Sequence, residues 1–80
     1  MSAQQAREPG RPPGAPRELV VRMFELHYDQ GESYARISAL LNAERVPLPA
    51  GGQRWLRSSV QRVMQTNYGE AIGRELGFLE

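Results

Sequence analysis

The chain has 80 residues, a formal net charge of +1, 24% charged and 40% hydrophobic residues, and no cysteine. That is enough for one small domain, and it leaves no disulfide framework, no thiolate metal site and no cysteine nucleophile. The single histidine, His27, cannot make a zinc site alone, and the absence of any long apolar run or leader core predicts a soluble, cytoplasmic chain with no membrane partner.

Residues 1–16, MSAQQAREPGRPPGAP, hold four of the six prolines and show no apolar periodicity, which predicts a flexible or polyproline-like arm. Within it, Gly10-Arg11-Pro12 has the composition of a minor-groove hook, because a narrow A·T-rich groove concentrates negative potential that attracts arginine. Pro16 marks a helix start, where its missing N–H costs nothing. The first helix is expected from about Arg17 to Asp29. Leu19, Val20, Met23, Phe24, Leu26 and His27 recur at spacings of three and four, and Gly31 is the terminator. His27 reads as a packed or half-exposed helix residue, since no serine, cysteine or second histidine is placed to use it as a base.

The second helix is expected to open on Ser33 as N-cap and to run to about Glu44, with Tyr34, Ile37, Leu40 and Leu41 on its buried face. Tyr34-Ala35-Arg36-Ile37-Ser38 matches the Tyr-x-Arg-x-Ser signature around the nucleophile of serine recombinases. Here the string lies inside an amphipathic helix and Ile37 is needed for the core. Ser38 is therefore not expected to be catalytic, and no paired groups elsewhere support an enzyme. The segment 18–44 sums to −3.

Next comes Val46-Pro47-Leu48-Pro49, which must leave the α region, then Gly51-Gly52 to reverse the chain and Trp55 as a large anchor. Leu48 and Trp55 are expected to tie this loop to the core, as an extended loop or a small wing. The third helix is expected over about Arg57 to Thr66, with Val60, Val63 and Met64 buried and Trp55 and Leu56 packing at its start. Arg57, Ser58, Gln61, Arg62 and Gln65 fall on the opposite face. Residues 45–65 carry Arg45, Arg54, Arg57 and Arg62 with no acid, for a sum of +4. In NYGEAIGRELGFLE, residues 67–80, Ile72, Leu76 and Leu79 sit at helical spacing, but Gly69, Gly73 and Gly77 are expected to leave at most a short, frayed fourth helix. Its apolar side would either close the core or pair with another chain.

These elements define an all-α, small helix-turn-helix domain of three helices over residues 17–68, with a long Pro/Gly loop before the third, a flexible arm at 1–16 and a tail or short helix at 69–80. A polar, cationic helix that follows a corner is the pattern of a duplex DNA reader. In that reading, Arg57 and Arg62 take guanine edges or phosphates and Gln61 or Gln65 takes adenine. Ser58 and Ser59 hold phosphate with the helix N-terminus, Arg45 and Arg54 extend the basic surface, and Arg11 reaches the minor groove. A single module of this kind buries only ~600–1,000 Å² on DNA. Useful affinity then needs the arm, a homodimer or a protein partner. The competing class is a protein-interaction module for RNA polymerase, a sigma factor or another regulator, favoured by the acidic surface of the first two helices. Neither reading calls for a cofactor or a metal.

From Leu19 to about Tyr68 the chain resembles the helical DNA-binding domain that follows the catalytic domain of large serine recombinases. The pattern there is a helix, a Gly-x-Ser-Tyr-x-x-Ile helix ending in Leu-Asn, then Gly-Ile/Val-Pro-x-Pro-x-Gly-Gly-x-x-Trp and a further helix. Gly31, Ser33, Tyr34, Ile37, Leu41-Asn42, Val46-Pro47, Pro49, Gly51-Gly52, Trp55, Ser58 and Val60 stand in matching order. Smaller members carry a Gly-Arg-Pro arm, so the resemblance also supports a role for Arg11. It departs where Arg57 replaces a frequent proline, and the catalytic domain is missing. The resemblance implies sequence-specific binding of double-stranded DNA without recombination, as a transcriptional regulator or a recombination or nucleoid accessory factor. A looser similarity joins Phe24–Tyr28, Gly31–Tyr34 and Ile37 to the promoter-binding helix-turn-helix region of sigma factors, but there a short elbow follows.

Overall fold

The computed structural model describes residues 15–49 and 51–80; the 1–16 arm, with Arg11, falls almost wholly outside them. Four α-helices and no strand occur among the described residues: α1 (Arg17–Phe24), α2 (Tyr34–Ala43), α3 (Arg57–Met64) and α4 (Asn67–Glu75). Pro16 is the N-cap of α1, and its carbonyl accepts from the Leu19 and Val20 amides. The first helix does reach Asp29, but not as one uniform element. Its last turn, Glu25–Asp29, widens to a π-helical turn, with the Gln30 N–H donating to the Glu25 carbonyl five residues back. Gly31, at φ +72°, then turns the chain so that the Glu32 N–H bonds back to Leu26.

Ser33 caps α2 as expected, its hydroxyl accepting from the Arg36 amide at 3.0 Å. The core is a single cluster in which Val20, Met23, Phe24, Ile37, Leu41, Trp55 and Val60 are all but fully buried, joined by Leu19, Leu26, Met64 and Ile72. Seven large side chains sealed from water give so short a chain a core of its own.

The fourth helix is longer and better packed than its glycines predict. Thr66 caps α4 by accepting from the Gly69 amide at 2.9 Å, and Ile72 joins the core. Gly69 and Gly73 are buried contact points, not breaks. A Cβ on Gly73 would stand 2.5 Å from Phe24 Cε1, and one on Gly69 would meet the Val63 carbonyl and lie 2.9 Å from that of Met64. Removing the side chain lets α4 lie against α1 and turn sharply out of α3, and this closeness outweighs the propensity cost of about 1 kcal/mol per glycine. Behind Gly73 the rings of Phe24, Tyr28 and Phe78 lie nearly parallel, with centroids 5.4–6.2 Å apart. Arg17 on α1 also pairs with both oxygens of Glu75 on α4. The tail thus closes the core of its own chain. No helix among the described residues is long and apolar enough to cross a membrane.

Candidate nucleic-acid interface

The third helix is held in place by its loop. Asn42, near the end of α2, receives the Trp55 N–H on Oδ1 at 2.7 Å and donates from Nδ2 to the Trp55 carbonyl at 2.8 Å. The indole N–H of Trp55 donates to the Val46 carbonyl at 2.9 Å, and the ring is 1% exposed. One amide therefore satisfies both backbone groups of Trp55, and Trp55 closes the loop onto itself. Gly51 and Gly52, at φ +85° and +105°, supply the left-handed backbone that lets the chain return. The loop is an extended connection from Glu44 to Leu56, far longer than a tight elbow.

Leu56 corrects the expected packing at the start of α3. It is the N-cap residue and is 54% exposed, instead of joining Trp55 in the core. The local cap comes from Ser59, whose Oγ accepts from the Leu56 N–H at 3.2 Å. Ser59 is half-buried, so its hydroxyl oxygen is first a helix-capping group. The helix also ends earlier than expected, at Met64. Gln65 is its C-cap and Thr66 begins the next helix.

Arg57, Ser58, Gln61, Arg62 and Gln65 are all exposed and occupy one arc of the helix surface at positions i, i+1, i+4, i+5 and i+8. Ser58, Gln61, Arg62, Gln65 and Thr66 line a shallow groove along this face. Eight residue steps at 1.5 Å give a face about 12 Å long. Val60 and Met64 are buried, and Val63 packs partly buried against the core.

The arginines fall into two groups. Arg17 pairs with Glu75, Arg22 with both oxygens of Glu44, and Arg36 lies 3.9 Å from Glu32. Arg45, Arg54, Arg57 and Arg62 are exposed and have no carboxylate partner among the described residues; Arg74 on α4 is the other unpaired one. Between Arg45 and Gly69 the sequence has no acidic residue. The hydrogen bond from Arg22 holds the Glu44 carboxyl below its ordinary value, so the acid nearest the start of the loop is already neutralised by α1.

Arg45 also has an unusual backbone. It sits at φ +59°, one residue past the Glu44 C-cap, with its N–H on the Asn42 carbonyl (3.1 Å) and the Val46 N–H on that of Leu41 (3.0 Å). This is the αL position of a Schellman cap, where glycine is usual. Nothing in the sequence of this chain marks the residue as left-handed.

Ser38 and His27 each make a structural contact. Ser38 is 8% exposed and donates to the Ala35 carbonyl at 2.7 Å, a helix back-bond inside the core. His27 stacks on Tyr34 at 4.4 Å, with Nδ1 2.8 Å from the Glu32 carbonyl, and so finishes the corner between α1 and α2. Comparison with protein-family models, curated proteins and solved structures gives no match to this chain.

Proposed function

We propose that the chain is a sequence-specific double-stranded DNA-binding protein that lays α3 in the major groove, serving in transcriptional regulation or as a recombination or nucleoid accessory factor. The observation that carries this reading is the segregation of arginines: those on α1 and α2 are paired with acids, whereas the four on the loop and α3 are exposed and have no carboxylate partner among the described residues. A set of guanidiniums with no carboxylate partner among the described residues attracts anionic groups such as phosphate and disfavours a basic or apolar surface. Arg57 and Arg62 take guanine edges or phosphates, Gln61 and Gln65 take adenine, and Ser58 holds a phosphate near the helix start. Arg45 and Arg54 flank this face on phosphates. The resemblance to the DNA-binding domains of serine recombinases supports the same assignment, and extends it to Arg11 in the minor groove.

The test is fluorescence anisotropy or gel mobility of the whole chain with a pool of duplex fragments at several salt concentrations. Four phosphate contacts give a slope of log K against log salt of about −3 to −4. Arg57→Ala/Arg62→Ala should abolish retention at moderate salt while leaving the melting temperature unchanged, since neither side chain has an ion-pair partner among the described residues. Failure of the native chain to retain any duplex at low salt would end the DNA reading.

A further inference from the structure

Beside the cationic face lies a trough of about 390 Å³ between the loop and the α3–α4 corner. Its floor is apolar, made by Leu48, Trp55 and Val63, and two exposed apolar residues, Leu56 at 54% and Tyr68 at 40%, form its lips. Arg54 and Arg62 stand at its rim, neither with an ion-pair partner among the described residues, and none of the described residues that line it is a carboxylate.

Leu56 is the informative residue. It occupies a helix N-cap, where serine, threonine, aspartate or asparagine is preferred by about 0.5–2 kcal/mol and leucine supplies no acceptor. A large apolar group at a capping position, more than half in water, stabilises neither the helix nor the core. Local rules broken in this way mark functional positions. We infer that the trough is a docking site for a short segment of a partner protein in which acidic residues alternate with leucine or aromatic side chains.

Charge complementarity selects this occupant. The apolar residues of such a segment cover Leu56 and Tyr68 and fill the floor, while its carboxylates meet Arg54 and Arg62 as charge-assisted pairs. The volume is near the lower end of ordinary ligand pockets, about 300–1,000 Å³, but a small molecule seated inside would leave the lips exposed. The chain's own residues 1–14 carry Arg7 and Arg11 against Glu8, the wrong sign for this rim. Arg62 and Thr66 belong to both the trough and the α3 groove, so a docked acidic segment occupies part of the surface proposed for DNA. Only this last consequence rests on the DNA reading; the docking itself does not.

The test uses no DNA, so its failure is separate from failure of that reading. A random dodecapeptide library displayed on phage is selected against the immobilised full chain, and one enriched peptide is synthesised. Sequences interleaving Asp or Glu with Leu, Phe or Trp are expected to be enriched. The peptide should change the fluorescence of Trp55, the sole tryptophan, and shift the amide resonances of Leu48, Leu56, Val63 and Tyr68. Leu56→Ser, which replaces the apolar lip with a good N-cap, should weaken peptide binding at least tenfold while the thermal melt is retained or raised, and Arg54→Ala should weaken it similarly. Enrichment of peptides lacking the acidic-apolar pattern, shifts confined to other surfaces, or unchanged affinity in Leu56→Ser would overturn the assignment. So would shifts of the trough resonances on deleting residues 1–14, or self-association centred on Leu56, because either would name a different occupant.

Discussion

Replacing Arg45 with glycine separates folding from binding, because the two responses have opposite signs. At φ +59° a side chain with a Cβ costs about 1–2 kcal/mol relative to the right-handed region, and glycine escapes that penalty while giving up as much as about 1 kcal/mol of backbone entropy. The Arg45 side chain is exposed and has no carboxylate partner among the described residues, so no folded-state contact is lost. Both capping bonds of this turn, Arg45 N–H to Asn42 and Val46 N–H to Leu41, are backbone bonds that glycine keeps. The net gain is about 0.5–1 kcal/mol, which raises the melting temperature of a domain this size by roughly 2–8 °C. If the chain binds duplex DNA as proposed, the same substitution removes one phosphate contact and flattens the salt slope by about 0.9. Arg45→Ala is the control: it loses the charge but keeps the strained backbone, so its salt slope should match that of the glycine variant and its melt that of the native chain. Differential scanning calorimetry and anisotropy titrations over a salt series measure the two effects. A glycine variant no more stable than the alanine variant would refute the strain argument, and an unchanged slope in both would remove Arg45 from the interface.

Asn42→Ala should destabilise the chain by about 2–4 kcal/mol in urea titrations, because it leaves the buried Trp55 N–H and carbonyl without partners at roughly 1–3 kcal/mol each; a loss under about 1 kcal/mol would mean that water replaces the clamp. Gly69→Ala should cost about 1–3 kcal/mol by the same measurement despite alanine's higher helix propensity, since the new Cβ meets carbonyls of α3 that cannot rotate away, and a neutral or stabilised variant would show that the corner opens freely. Glu44→Gln tests the ion pair with Arg22. The folded-state carboxyl titrates below its ordinary value, so its contribution is fully present above the unfolded-state range and fades as pH falls through the lowered folded value. The variant should therefore melt slightly lower than the native chain near neutrality and equal to it at strongly acidic pH; a constant difference across that range would assign the effect to packing.

Those features written in local chemistry were legible in the sequence. Ser33 is a cap wherever it precedes an amphipathic run, and Gly31 ends a helix through a left-handed turn that involves only its neighbours. Trp55 after a Pro/Gly loop was identifiable as an anchor because so large a ring has few other places to go. The same local rules misjudged Gly69 and Gly73, since helix propensity describes an isolated helix. The distance from a missing Cβ to the Val63 carbonyl or the Phe24 ring is a property of the assembled corner. Leu56 was misjudged for a related reason. Adjacent apolar residues look alike in composition, yet the chain direction at Trp55 turns one into the core and the next into water. On the α3 surface, Arg57, Gln61, Arg62 and Gln65 follow from helical periodicity alone, whereas the half-buried capping role of Ser59 depends on the turn geometry at Leu56.

The distribution of charge acquires its meaning only when long-range pairs are known. By segment, the sequence alternates in sign, and a simple alternation could cancel across a compact molecule. The structure instead neutralises charge selectively. Glu75 is engaged by Arg17, 58 positions away, and Glu44 by Arg22, 22 positions away, which removes the carboxylate nearest the α2 end of the loop. The Asn42–Trp55 clamp then fixes the start of α3 to the end of α2, so its unpaired guanidiniums project from a rigid element. A flexible loop bearing Arg57 and Arg62 would lose ordering entropy on each encounter with a ligand. Anchoring Trp55 spends that entropy during folding, and the cationic face is left ready for whichever anionic surface reaches it first.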